Sequence, residues 1–171
     1  SHHLVLRIAD DPRSRHQPGG KQSHSFESSG CHYTRTTGIW QTVWMEAVAP
    51  AGLRDAQIIG DVDGRRFIVN PRYWSELRGA RLQVVLKAAG ETIAEATVPA
   101  ANAVPAILPI DNPRLWCPGD PFLYDLELRV ATADGEVFDT VESYAGLRKV
   151  HIEGHRVFLN NEPLYQRLVL D

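Results

Sequence analysis

The chain has 171 residues, of which 43% are hydrophobic and 23% charged, with a formal net charge of -3 and an isoelectric point near 6.1. That is enough apolar material for one globular domain, or one domain with part of another, and the charge gives no electrostatic reason to expect nucleic acid or an anionic membrane as a partner. No run approaches the ~18 apolar residues of a membrane span, the first residues lack the basic and apolar regions of an export signal, and Cys31 and Cys117 have neither disulfide-framework nor zinc-ligand spacing. A reducing, cytoplasmic setting follows as the expectation.

Residues 1–9 read as a strand, with Leu4, Leu6 and Ile8 on one face and Val5 and Arg7 on the other. From Asp10 to Thr37, Pro12, Pro18, Gly19, Gly20 and Gly30 among many Ser, His and Arg residues make a loop long enough to be functional, or else a mobile surface excursion. The stretch 38–48 predicts a strand covered on both sides: Trp40, Thr42, Trp44 and Glu46 share one face, and Ile39, Gln41, Val43, Met45 and Ala47 the other. Its tryptophans suit core packing, with a flat platform for stacking a sugar ring as the alternative.

Past Pro50, short strands alternate with turns. Strands are predicted over Gln57 to Val62, Arg66 to Val69, Arg81 to Ala89, Thr92 to Val98, Phe122 to Val130 and Glu136 to Tyr144, with turns at Asp63-Gly64, Ala89-Gly90 and Asp134-Gly135. In two of them, Leu82, Val84, Leu86 and Ala88, and then Tyr124, Leu126, Leu128 and Val130, alternate with polar residues and define a buried face. The class is all-β, and the rhythm fits a two-sheet sandwich of the immunoglobulin or fibronectin type. The proline-rich passage 105–121 cannot donate a full ladder, so it should follow a sheet edge or cross between sheets. Near the end, Val157-Phe158-Leu159, the turn Asn160-Asn161 and a second apolar strand make a hairpin that reads as the entrance to a further domain.

The run Asn112-Pro113-Arg114-Leu115-Trp116-Cys117-Pro118 followed by Pro121-Phe122-Leu123-Tyr124-Asp125-Leu126 resembles a passage of glycoside hydrolase family 2, which includes β-galactosidases, β-glucuronidases and β-mannosidases. Thr37-Gly38-Ile39-Trp40-Gln41-Thr42-Val43-Trp44 is similar to the end of that family's jelly-roll sugar-binding domain, and Gly19-Gly20-Lys21-Gln22 to a loop upstream of it in one bacterial branch. Gly146-Leu147-Arg148-Lys149 and Phe158-Leu159-Asn160-Asn161-Glu162-Pro163 resemble the exit from the middle domain and the hairpin entering the (β/α)8 barrel. The resemblance divides the chain into 1–49, the C-terminal part of a jelly-roll domain with its long loop; 50–147, an immunoglobulin-like sandwich; and 148–171, a hairpin leading into an absent barrel.

In such enzymes the two carboxylates of retaining hydrolysis, about 5 to 5.5 Å apart, belong to the barrel, so the resemblance implies a non-catalytic fragment with no catalytic residue of its own. Asp10-Asp11 and the Asp125/Glu127 pair read as a loop and the wet face of a strand. Where family members place an acidic sugar contact, this chain has His32, leaving Tyr33 and Arg35 as hydrogen-bond donors to sugar hydroxyls. Arg167-Leu168-Val169-Leu170-Asp171 is similar to a segment of the first barrel strand; it keeps Arg167, and Asp171 falls where substrate-binding groups collect or where a carboxylate orients a neighbouring strand. The seven histidines lack metal-ligand spacing, and His151 and His155 are expected as cross-strand neighbours. No metal and no cofactor is implied. The implied partners are a β-glycoside bound by the parent enzyme, the sugar-binding and barrel domains, and a second copy in a homo-oligomer. The competing reading is a free-standing carbohydrate-binding or protein-interaction module using Trp40, Trp44, Trp74 or Trp116 as its platform.

Overall fold

The computed structural model describes residues 3–11, 13, 14 and 16–169. The chain forms two compact units, one of Ser1–Glu46 with Arg167–Asp171 and one of Ala47–Gln166. The described residues are all-β, in open sheets and without helices.

The larger unit is a sandwich whose faces follow the period-2 patterning of its strands. Three strands, β1 (Leu53–Asp61), β2 (Arg66–Tyr73) and β5 (Ala106–Pro109), form one sheet in the order β1-β2-β5. Four more, β3 (Arg81–Ala88), β4 (Glu91–Pro99), β6 (Tyr124–Ala131) and β7 (Val137–Ala145), form the other in the order β4-β3-β6-β7. Every ladder is antiparallel, and the chain changes sheet between β2 and β3, β4 and β5, and β5 and β6, a fibronectin-like Greek-key course.

Between the sheets, Leu82, Val84 and Leu86 of β3 and Leu126, Leu128 and Val130 of β6 are fully buried against Phe67 and Val69 of β2 and Leu108 of β5. Their alternating polar neighbours face outward, where Glu127 bonds Lys87 at 2.8 Å and Arg129 at 2.6 Å. Each buried Leu or Val contributes about 1.5–3 kcal/mol of transfer free energy, so the alternation seen in the sequence is what drives the two sheets together.

The turns obey backbone chemistry. Ala89-Gly90 joins β3 to β4 with φ of 51° and 85°, the left-handed pair of a type I′ hairpin, and Gly135 takes φ 88° in the β6–β7 connection. The passage through Pro105 and Pro109 contributes β5 at a sheet edge and then returns the chain to the opposite sheet, as its missing donors require. Tyr124, at the start of β6, packs edge-on against Phe67 and Phe122, and its hydroxyl accepts from Arg114 N at 2.7 Å and donates to Arg114 O at 3.2 Å. This is the tyrosine-corner arrangement in which a core ring anchors the incoming loop.

A small meander follows: β8 (Val150–Glu153), β9 (Arg156–Leu159) and β10 (Glu162–Pro163), in the order β10-β9-β8. The Asn160-Asn161 turn joins β9 to β10, both residues having positive φ, 54° and 69°. His151 lies across from Phe158, not His155, and stacks on it at 5.0 Å; His155 sits in the turn before β9.

The smaller unit departs from expectation. Residues 3–9 and 38–48 form no strand, and Trp40 and Trp44, expected in a core, are 87% and 76% exposed. The reason is that a strand needs neighbouring main chain to satisfy its N–H and C=O groups. Alternation supplies two faces but no partner, and among the described residues only the isolated bridges Gln22↔Tyr33 and Ser29↔His32 form in this unit.

Candidate functional site

The three motif blocks found in the sandwich and meander converge in one place. Arg114 folds over the loop, bonding Asp120 through Nε at 2.7 Å and Nη2 at 2.6 Å while its guanidinium lies 4.4 Å from the Phe122 ring centre. Two residues on, Trp116 donates its main-chain N–H to Leu147 O at 2.9 Å. Its ring is covered on one side by Gly146, where an added Cβ would fall 3.2 Å from the indole, and the Arg148 guanidinium stands 4.6 Å from its centre. A side chain at 146 would need the Trp116 ring to give way by a few tenths of an ångström, so glycine suits this close approach.

Asn160 then ties the meander to this loop. Its Nδ2 donates to Trp116 O at 3.0 Å, its Oδ1 accepts from Lys149 N at 3.0 Å, and its own N–H donates to Lys149 O at 2.8 Å. The neighbouring Asn161 and Lys149 reach the turn after β1: Lys149 Nζ donates to Asp63 Oδ2 at 2.6 Å and to Asn161 Oδ1 at 3.0 Å, and Asn161 Nδ2 donates to Asp63 Oδ1 at 3.0 Å. The Lys149 hydrogen bond, then that of Asn161, holds the Asp63 carboxyl below its usual range, and Arg114 does the same to Asp120. The arrangement ties the exit from the sandwich at Lys149 to the loop at Trp116 and to the turn at Asp63.

Of the residues singled out for sugar contact, Arg167, Tyr33 and Arg35 are among those described. Asp171 lies outside the described residues, and Arg167 is exposed. Tyr33 is held by its main chain, exchanging hydrogen bonds with Lys21 and Ser23, with its ring half exposed. Arg35 covers Phe26 at 4.7 Å and bonds His24 O at 3.4 Å, so its guanidinium serves the loop's own packing. Among the described residues, no hydrogen bond, ion pair or ring contact joins Arg167 with Tyr33 or Arg35, and no group of three His, Cys, Asp or Glu side chains converges on a metal-sized site. Asp10 is engaged by Thr37 at 3.0 Å and by Gln17. The Asp63–Lys149–Asn161 cluster was not anticipated as a cluster; its members were visible only separately, in the Asp63-Gly64 turn, the block ending at Lys149 and the Asn-Asn turn.

Comparison with known proteins shows what the chain is similar to. Residues 76–148 match the model of the family described as glycosyl hydrolases family 2. The chain is 27% identical over 160 residues to a β-glucuronidase of Paenibacillus borealis, covering 94% of this chain and 25% of that protein. It is 28% identical over 136 residues to a β-galactosidase of Lactococcus lactis subsp. lactis, covering 78% of this chain and 13% of that one. The solved β-glucuronidase of Ruminococcus gnavus in complex with D-glucuronic acid superposes on 66% of this chain and 19% of its own, with a TM-score of 0.53 and 26% identity. The chain thus spans a quarter or less of the length of these relatives.

Proposed function

We propose that this chain, similar over residues 76–148 to glycosyl hydrolases family 2, is the connecting part of a retaining β-glycoside hydrolase of that family and sets the position of the catalytic barrel relative to the sugar-binding domain. The coarser statement, a fragment of a β-glycoside hydrolase, rests on the comparisons; the positioning role rests on the junction. The observation that carries it is the bidentate use of Asn160, whose one side chain bonds the loop at Trp116 and the exit at Lys149. A hairpin bonded at both points leaves the sandwich in a fixed direction, which is what two carboxylates held about 5 to 5.5 Å apart in a neighbouring domain need from their support. Arg167 and Asp171 are proposed to approach the barrel mouth, with Tyr33 and Arg35 as further sugar contacts from the long loop.

Chromogenic β-glucuronide, β-galactoside and β-mannoside substrates test the reading directly. The 171-residue chain should turn over none of them, while the gene read past the Asp171 codon should encode a barrel with two catalytic glutamates, and the longer product should hydrolyse at least one. Turnover by the chain alone, or a gene ending at Asp171, would overturn the proposal. The exposure of Trp40 and Trp44 favours a second reading, a carbohydrate-binding platform; a quench of tryptophan fluorescence on titration with the same glycosides, lost in Trp40→Ala, would select it.

A further inference from the structure

β1 and β7 are outer strands of their two sheets and lie against each other along one side of the sandwich. A register shift between Val130 and Ala131 of β6 leaves Phe138 as an extra residue in β7, since Ala131 pairs with Val137 and Val130 with Asp139. Such a bulge re-aims the side chains beside it. Asp139 is the cross-strand partner of the buried Val130 and so stands on the core-facing side of its sheet. A carboxylate there needs a donor, and it finds one in the opposite sheet. The main-chain N–H of Leu53, the first residue of β1, donates to Asp139 Oδ2 at 2.7 Å.

The residue before Leu53 is shaped around this contact. A Cβ added at Gly52 would overlap the Asp139 carboxylate, 2.8 Å from its carboxyl carbon, and would stand 3.0 Å from the Ala49 Cβ. A side chain at 52 would therefore turn the carboxylate away from Leu53. Gly52 is itself held on both sides, its N–H donating to Ala49 O at 2.9 Å and its carbonyl accepting from Trp74 N at 3.2 Å. We infer that Asp139 is a positioning residue: its carboxylate clasps the entry of the chain into the sandwich at Leu53, 86 positions away, and a glycine stands at 52 to admit it. With Asn160 tying the exit, both ends of the path through the sandwich are held by side-chain hydrogen bonds. The consequence for catalysis rests on the function proposed above. A sugar-binding domain with a loose lead into the sandwich loses the substrate contacts it contributes, which weakens ground-state and transition-state binding alike.

Amide hydrogen exchange read by NMR on the 171-residue chain tests the clasp. Loss of a hydrogen bond to a carboxylate should speed exchange at Leu53 about 10- to 100-fold in Asp139→Ala. Asp139→Asn, whose amide oxygen still accepts, should stay within about threefold of wild type. Gly52→Ala should loosen Leu53 as Asp139→Ala does, and should add nothing in the Asp139→Ala background, because the carboxylate it displaces is gone. Unchanged exchange in β3 shows that each variant is folded. In the longer gene product, Asp139→Ala should raise KM for the hydrolysed glycoside several-fold with kcat unchanged, and Asp139→Asn should not. Wild-type exchange at Leu53 in Asp139→Ala, an Asp139→Asn chain as loose as the alanine variant, a full further effect of Gly52→Ala in the Asp139→Ala background, or an active longer product whose KM is indifferent to Asp139→Ala would each overturn the inference. A longer product with no activity would instead overturn the reading of the function, and exchange at Leu53 would still decide the clasp.

Discussion

Replacing Asn160 with alanine should release the β8–β10 meander from the sandwich. The substitution deletes two hydrogen bonds, to Trp116 O and from Lys149 N, each 3.0 Å long and partly buried. At about 0.5–1.5 kcal/mol net per bond they amount to roughly 1–3 kcal/mol. The residue also sits at φ 54°, which alanine adopts at a cost of about 1 kcal/mol over asparagine. Together these give about 2–4 kcal/mol, and since 1.4 kcal/mol is a factor of ten, main-chain amides of residues 150–159 should exchange hydrogen roughly 30- to 1,000-fold faster, while those of β3 and β6 are unaffected. Asn160→Gly separates the two contributions: it removes the same hydrogen bonds but tolerates the left-handed backbone, so it should recover about 1 kcal/mol of the loss. Hydrogen exchange read by mass spectrometry on peptides covering 150–163 supplies the measurement. Unchanged exchange in Asn160→Ala, or equal effects of alanine and glycine, would refute the reasoning.

Tyr73 is buried, its hydroxyl has no hydrogen-bond partner among the described residues, and burial pushes the phenol up to about 12; Tyr73→Phe should therefore raise stability by about 1 kcal/mol in urea titration, and a clear loss would show that the hydroxyl is satisfied in solution. Ala89 occupies the first left-handed position of its hairpin at φ 51°, so Ala89→Asn should stabilise by about 1 kcal/mol, seen as a rise in Tm. The carboxyl of Glu127 is held below its ordinary value of 4.5 first by the hydrogen bond from Lys87 and then by that from Arg129. Because the folded value is the lower one, this contribution is present above about pH 4.5 and is lost as pH falls through the folded value. The urea midpoint should decline over that acidic window, and Glu127→Gln should flatten the decline; an identical pH profile in the variant would count against the ion-pair account.

Much of the sandwich was legible in the sequence because each strand carries its own two-faced record. Leu82, Val84 and Leu86, and Leu126, Leu128 and Val130, declare the buried side by alternation alone, and Ala89-Gly90, Asp134-Gly135 and Asn160-Asn161 mark turns through backbone geometry that few residues accept. The prolines around β5 likewise announced an edge, since a missing donor is a local property. The candidate site was legible only as separate motif blocks. Asn160 meets Trp116 across 44 positions and Asn161 meets Asp63 across 98, so their hydrogen bonds exist only once the sheets have brought those turns together.

Residues 38–48 show the converse. Their period-2 pattern is as clear as that of β6, yet they make no strand, because alternation determines which side chains share a face and cannot supply the neighbouring main chain that completes a ladder. Composition and periodicity thus determined the all-β class, the buried faces and the turns, all of which depend on residues near one another in the chain. Pairing, the order of strands in each sheet and the Asn160 junction were decided by tertiary structure, since each is a hydrogen-bond match between groups that sequence distance keeps apart.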